Sequence, residues 1–312
     1  MTISVLCLWI VVSLHTVYGS GKSLFVFDHL AKTGGTETEK CLNIAFGKAQ
    51  MILHTAEVDK LHPDEHLKSM LRSNSFITDM ASKGNVNNNW IVVKELDGIG
   101  QLEARKESFV IGGIREPCSL YTSMWAYRSN AYETYKNKNL TVNWWGMEKP
   151  YFGRDKGYGT VGDLKRFEQW MEYIAVKNAK PLFTVSKDKK LIKQNGGGGI
   201  MSVHFMLSYL TQSQDFSLHD IDCWVREENL HNDLKLCFER YMMQGGVIPY
   251  YHKYLQYINS DDNNHNSNPS SHKECSFYYN KTTAARVEKA DEFLYKLFNM
   301  KGCCNPNYEI PV

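Results

Sequence analysis

The stretch that most constrains this chain runs from Leu24 to Gly47, LFVFDHLAKTGGTETEKCLNIAFG. Leu24, Phe25, Val26 and Phe27 form the short apolar run of a buried strand. Lys32-Thr33-Gly34-Gly35-Thr36 follows, and then a helix-compatible segment from about Glu37 that Gly47 stops. A strand, a glycine-bearing turn and a helix start, in that order, build an anion cradle. The glycines let peptide N–H groups crowd around a phosphate, and the helix N-terminus adds its partial positive charge. Lys32 and two hydroxyls complete the grip. The same residues also make an ordinary tight turn with Thr36 as the helix cap, and the segment alone leaves both readings open. The common nucleoside triphosphate loop is excluded, because its lysine and hydroxyl follow the second glycine. Gly21-Lys22-Ser23 imitates that ending, but it precedes the strand and lacks the upstream glycine.

A second segment points the same way. Phe109 to Ile114, FVIGGI, reads as another buried strand and runs straight into Arg115-Glu116-Pro117-Cys118-Ser119-Leu120-Tyr121-Thr122-Ser123. Pro117 suits the first turn of a helix, where its missing N–H costs nothing. Ser119 and Ser123 then share one helix face. An arginine at a strand's carboxyl end and a serine on the next helix can grip one phosphate, the arginine through its planar fork. Taken by itself, Arg115 reads first as a surface ion-pair residue beside Glu116.

Together the two segments resemble the PAPS-dependent sulfotransferase superfamily, in its carbohydrate (Golgi-type) branch; PAPS is 3′-phosphoadenosine 5′-phosphosulfate. The resemblance implies that Lys32, Thr33, Gly34, Gly35 and Thr36 hold the 5′-phosphosulfate, and that Arg115 and Ser123 hold the 3′-phosphate. It implies an α/β chain with a three-layer P-loop-like fold, a central parallel sheet flanked by helices. Looser echoes are Ile221 to Leu230, similar to a late strand leading into a helix, and Asn268 to Lys273 with Tyr278 and Tyr279 behind it. The likeness covers about residues 24 to 300 and is specific in the two short segments.

For such a protein the expected reaction moves a sulfonate group from PAPS to a hydroxyl of a carbohydrate or small-molecule acceptor, with no metal. Lys32 is then the residue that neutralises the departing phosphate and steadies the sulfonate oxygens. The family places its general base, a histidine or a glutamate, between the two phosphate segments, where this chain offers His54, His62, His66, Lys94, Glu95 and Asp97. Glu95, just past the strand Trp90 to Val93, is the first choice and His54 the second. Trp125, Tyr127, Tyr132, Tyr135, Trp144, Trp145, Tyr151 and Phe152 crowd the region after the second segment. They suit either stacking on an acceptor or core packing. A nucleotide-dependent phosphotransferase of P-loop fold, and a secreted binding protein without catalysis, are the competing readings.

Composition and compartment fit an enzyme of the secretory pathway. With 312 residues, 43% of them hydrophobic, the chain can bury one large core. A net charge of +2 argues against a nucleic-acid partner. Residues 1–19 read as a signal peptide, with a membrane anchor as the competitor, and 22–312 as one domain. Membrane contact is expected only if that first segment is retained, and the expected location is the Golgi lumen or outside the cell. Past Cys7 there remain Cys41, Cys118, Cys223, Cys237, Cys275, Cys303 and Cys304, an odd number. The expected bridge joins Cys275 to Cys303 or Cys304, with Cys41 and Cys118 as small buried residues. Asn139-Leu140-Thr141 and Asn280-Lys281-Thr282 are potential glycan acceptors. Helical spacing is expected over Gly162 to Val176 and Asn229 to Met242. Val287, Ala290, Leu294 and Leu297 make the apolar stripe of one final helix. Asn195 to Gly199 reads as a flexible connection.

Overall fold

The computed structural model describes residues 24–29, 33–47, 51–54, 90–94, 108–136, 160–172, 180–187, 190–196, 221–260 and 272–310, with 176, 198–199, 201–202 and 205. In chain order its strands are β1 (Leu24–His29), β2 (Met51–His54), β3 (Trp90–Lys94), β4 (Ser108–Ile114), β5 (Phe183–Val185), β6 (Leu191–Lys193) and β7 (Cys223–Arg226). β5 and β6 form a small antiparallel pair. The other strands make one five-stranded sheet in the order β2-β3-β1-β4-β7, and every pairing in it is parallel.

Parallel neighbours cannot be joined by a hairpin, so the chain must cross over a sheet face between them. The helices are α1 (Gly35–Phe46), α2 (Pro117–Lys136), α3 (Val161–Trp170), α4 (Leu230–Met243), α5 (Tyr251–Ile258), α6 (Cys275–Tyr278), α7 (Lys281–Ala290) and α8 (Glu292–Leu297). Alternate strand residues feed two separate cores. Phe25, Phe27, Phe109, Ile111 and Val225 pack with Leu42, Leu234, Phe238 and Tyr254 of α1, α4 and α5. Val26, Val110, Ile114 and Trp224 pack with Trp125, Phe167, Val287 and Leu294 of α2, α3, α7 and α8. The period of two sends the described side chains of β1, β4 and β7 to both faces, and helices cover both, as a buried parallel sheet requires. The expected α/β architecture with a parallel sheet between helices is therefore present. Among the described residues no helix is long and apolar enough to cross a membrane.

Several expectations need correction. The stripe Val287, Ala290, Leu294, Leu297 is buried throughout, but it belongs to two helices broken at Asp291 rather than one. Asp291 is fully buried, accepts from Tyr121 Oη at 2.5 Å and binds the Ser202 hydroxyl and backbone N–H. The glycine run is not simply slack chain. A Cβ on Gly199 would strike the Tyr121 hydroxyl and the Asp291 carboxylate, and one on Gly196 would strike the Pro181 carbonyl. Gly199 lets the backbone come close to that buried acid, and Gly196 lets it pass against the Lys180–Pro181 backbone. Trp125 is core and not an acceptor platform, its ring N–H donating to buried Asp163 at 3.1 Å. The Tyr127, Tyr132 and Tyr135 side chains, and all of Trp144, Trp145, Tyr151 and Phe152, lie outside the described residues.

Cysteine pairing is Cys118–Cys303, Cys223–Cys237 and Cys275–Cys304. The expected tether from Cys275 is present, with Cys304 as its partner. Cys118 is corrected from a small apolar residue to one end of a bridge spanning 185 positions. Cys41 is the free cysteine among the described residues, and it is buried. Three disulfides mark a chain that matures in an oxidising environment.

Candidate functional site

Three loops meet at the carboxyl edge of the sheet. Register pairs Asp28 of β1 with Gly112 of β4, and Gly113 of β4 with Val225 of β7. The segments after β1, β4 and β7 therefore leave side by side. Open parallel sheets bind ligands at such an edge.

The first loop is held by two close approaches. Thr33 is buried against β4, and a Cβ on Gly113 would come within 2.5 Å of Thr33 Oγ1. Gly34 has φ +81° and is the N-cap of α1, with no side-chain cap. A Cβ there would sit 2.7 Å from Leu230 Cδ1 and 3.2 Å from Glu227 Cγ. Both conformation and space demand glycine. Helix α1 thus starts two residues before the expected Glu37, and Gly34 takes the capping place that the tight-turn reading gave to Thr36. Gly35 is its first residue, and Thr36 is exposed in the first turn. Gly47 ends the helix as expected.

The second loop carries Arg115. Its guanidinium is nearly buried, its Nε donates to Ser119 Oγ at 3.0 Å, and the Glu227 carboxylate of the third loop lies 3.5 Å away. Ser123 is buried one turn further along α2. Ser119 thus touches Arg115, and Ser123 lies one turn further along the same face. Pro117 opens α2 as expected, and Glu116 caps it by accepting from Cys118 N at 2.9 Å and Ser119 N at 2.8 Å. Glu116 is therefore no surface partner for Arg115.

The third loop is fixed by Arg226. Its fork donates from Nε and Nη2 to the two Asp233 oxygens, each at 2.8 Å, and from Nη1 to the Tyr308 carbonyl at 2.7 Å. Beneath the loops, Glu228 accepts the Glu116 N–H at 3.1 Å and the Tyr308 hydroxyl at 2.7 Å, and Tyr295 donates to Glu116 at 2.6 Å. The carboxyl-terminal strand of chain, through Tyr308, thus props two of the three loops. Sequence reasoning gave no role to Glu227 or Glu228, had Ser119 only as a face-mate of Ser123, and read Glu116 as a surface neighbour of Arg115. Their only local signal was their place just after an apolar strand.

Burial pushes the Glu116 carboxyl up to about 7 and that of Asp291 up to about 6, and it also raises Glu228. In the unfolded chain these groups ionise in the ordinary carboxylate range. Between that range and about pH 7, folded Glu116 keeps a proton that the unfolded chain has lost. Stability then falls as pH rises through the window. We expect a higher thermal midpoint at about pH 5.5 than at about pH 8, with Glu116→Gln narrowing the gap. A midpoint that climbs with pH would show that these acids are not held as described.

Lys32 and Glu95 lie outside the described residues. Their neighbours place them in sequence only: Lys32 directly precedes Thr33, and Glu95 follows Lys94 at the end of β3. His54 ends β2, and register sets His54 opposite Lys94 and Lys94 opposite His29, one row along the carboxyl edge. Two groups of metal-ligand type also come together among the described residues. Glu116, Cys118 and Cys303 are one, but the disulfide consumes both sulfurs. Glu37, Cys41 and His231 are the other.

No protein-family model matches the chain, and no curated protein matches it.

Proposed function

We propose that this protein is a sulfotransferase of P-loop-like fold, which moves a sulfonate group from PAPS to a hydroxyl of a carbohydrate or small-molecule acceptor in the Golgi lumen or outside the cell. One observation carries the reading: a glycine cradle at a helix N-terminus and a nearly buried arginine end adjacent parallel strands, facing the same edge. The residues fit a nucleotide with phosphates at both ends. The first-turn N–H groups of α1 suit the 5′ end, and Gly34 and Gly113 let Leu230 and Thr33 pack closely enough to hold that loop in place. Arg115 and Ser119, with Ser123 one turn further along, suit the 3′-phosphate.

PAPS, when bound, supplies the sulfonate and a phosphate leaving group. Lys32 is assigned to neutralise charge on that phosphate, and Thr33 and Thr36 flank the cradle. Glu95, with His54 as the second choice, is assigned to take the proton from the acceptor hydroxyl. Glu227 competes with an incoming anion for Arg115, so binding must displace its carboxylate.

The test has two stages. Calorimetric titration with 3′-phosphoadenosine 5′-phosphate should show stoichiometric binding that ATP does not match. Labelled PAPS with a panel of hydroxylated acceptors should then show transfer that Lys32→Ala reduces by at least ~100-fold. Tighter binding of ATP than of the bisphosphate would favour the phosphotransferase reading instead. Binding without transfer to any acceptor class would favour the non-catalytic one.

A further inference from the structure

Cys41 is left over when the other six described cysteines pair, yet it is not packed among apolar groups alone. Its Sγ lies 3.8 Å from Glu37 Oε1 on the same helix face and 3.8 Å from Nδ1 of His231 in the first turn of α4. The other ring nitrogen of His231 lies 4.0 Å from Glu37 Oε1. One ligand atom from each residue falls within 4.8 Å of the other two. We propose that Glu37, Cys41 and His231 form a zinc(II) site that pins the beginning of α1 to the beginning of α4.

The spacing is close to what the metal requires. Zinc bonds of about 2.3 Å to sulfur and about 2.0–2.2 Å to nitrogen and oxygen, at tetrahedral angles, set ligand atoms roughly 3.5 Å apart. The two 3.8 Å separations from sulfur need a contraction of a few tenths of an ångström, and because one ring nitrogen must serve both partners, the remaining gap, within 4.8 Å, closes by turning the partly exposed imidazole. The donor set is informative as well. Magnesium and calcium ask for oxygen throughout, whereas a thiolate, an imidazole and a carboxylate together suit a borderline cation. Three protein ligands leave a fourth position for water on the side where His231 is half-buried.

The surroundings support the ligands. Tyr257 Oη donates to Glu37 Oε1 at 2.6 Å, the kind of outer contact that orients a metal ligand, and Tyr254 Oη steadies the backbone there by donating to the His231 carbonyl at 2.8 Å. The Lys40 ammonium lies 3.9 Å from the other Glu37 oxygen and over the Tyr257 ring, on an exposed side chain that can turn into water. Burial and the Glu37 charge push the Cys41 thiol far up, which makes it a poor nucleophile. A cation at this point reverses that, because a coordinating thiol gives up its proton. The site adjoins the cradle through Leu230, the neighbour of His231 that touches Gly34, but it stands whether or not the protein transfers sulfonate.

The test uses the full chain without a polyhistidine tag, stripped by chelator, incubated with zinc and freed of excess metal by gel filtration. Mass spectrometry of the metal content should give one zinc per chain. Cobalt(II) in its place should give tetrahedral absorption bands and a thiolate-to-cobalt charge-transfer band. Cys41→Ser should abolish the charge-transfer band, and Cys41→Ser and His231→Gln should each weaken zinc by at least ~10-fold. His231 is partly exposed, so its variant keeps the test valid should the buried serine disturb folding; circular dichroism checks both. No retained zinc, a cobalt spectrum without the thiolate band, or undiminished binding in both variants would each overturn the site.

Discussion

Arg115→Ala is expected to bind 3′-phosphoadenosine 5′-phosphate at least ~100-fold more weakly than the unaltered chain, while adenosine 5′-phosphate binds both within about threefold. The size follows from the chemistry lost. A guanidinium fork makes two charge-assisted hydrogen bonds to one phosphate, each contributing about 1.5–3 kcal/mol. Water cannot replace them at a position as enclosed as Arg115, which is 9% exposed. The second nucleotide makes the result specific, since it lacks the 3′ group. Arg115→Lys should recover only part of the loss, because a point charge cannot reproduce the fork. Glu227→Gln should move the other way. Its carboxylate lies 3.5 Å from Arg115 Nε, so neutralising it removes a competitor for the arginine and tightens the bisphosphate. Titration calorimetry of each protein with both nucleotides reads these effects. Equal loss for both nucleotides would show that Arg115 supports the loop and does not meet the 3′-phosphate.

What the sequence made legible is what depends on neighbours along the chain. Phe25 to Phe27 and Phe109 to Ile114 are apolar runs, and they are adjacent strands of the parallel sheet. Gly34 and Gly47 bound α1 because each needs a positive φ, of 81° and 85°, that other residues adopt at a cost. Pro117 opens α2 because its fixed φ suits the first helical position. The misreadings arose where a distant residue decides the local outcome. Asp291 breaks the last helix while bound to Tyr121, 170 positions earlier, and to Ser202. Glu116 looked like a partner for the next-door arginine, yet its carboxylate caps α2 and meets Tyr295, 179 positions away. Cys118 looked apolar until Cys303 came beside it. No window of sequence carries that information. The proposed zinc ligands illustrate the same limit: Glu37 and Cys41 are spaced for one helix face, but His231 joins them only through the fold.

The largest stability effect is expected from the Cys118–Cys303 bridge. Its removal by the double substitution Cys118→Ala/Cys303→Ala should lower the thermal midpoint by roughly 5–15 °C. Joining positions 185 apart removes much of the unfolded chain's freedom. Loop closure of that length gives about 5 kcal/mol, and native bridges commonly contribute about 2–5 kcal/mol. The Cys223–Cys237 bridge spans only 14 positions, so its loss should cost less, about 3 kcal/mol on the same reasoning. Substituting both partners avoids a stray thiol beside Cys304, whose sulfur is 3.8 Å from that of Cys303. The functional consequence follows from position. Cys118 is three residues beyond Arg115, and the bridged tail carries Tyr308, whose hydroxyl donates to Glu228 under the same loops. Cys275–Cys304 keeps the tail attached to α6 in the double variant, but the start of α2 is released. Nucleotide affinity should therefore fall along with the midpoint, measured well below the melting range. A midpoint within about 2 °C of the unaltered protein would mean that the chain does not rely on this bridge. A large drop with unchanged affinity would confine its role to the scaffold and separate the tail from the site.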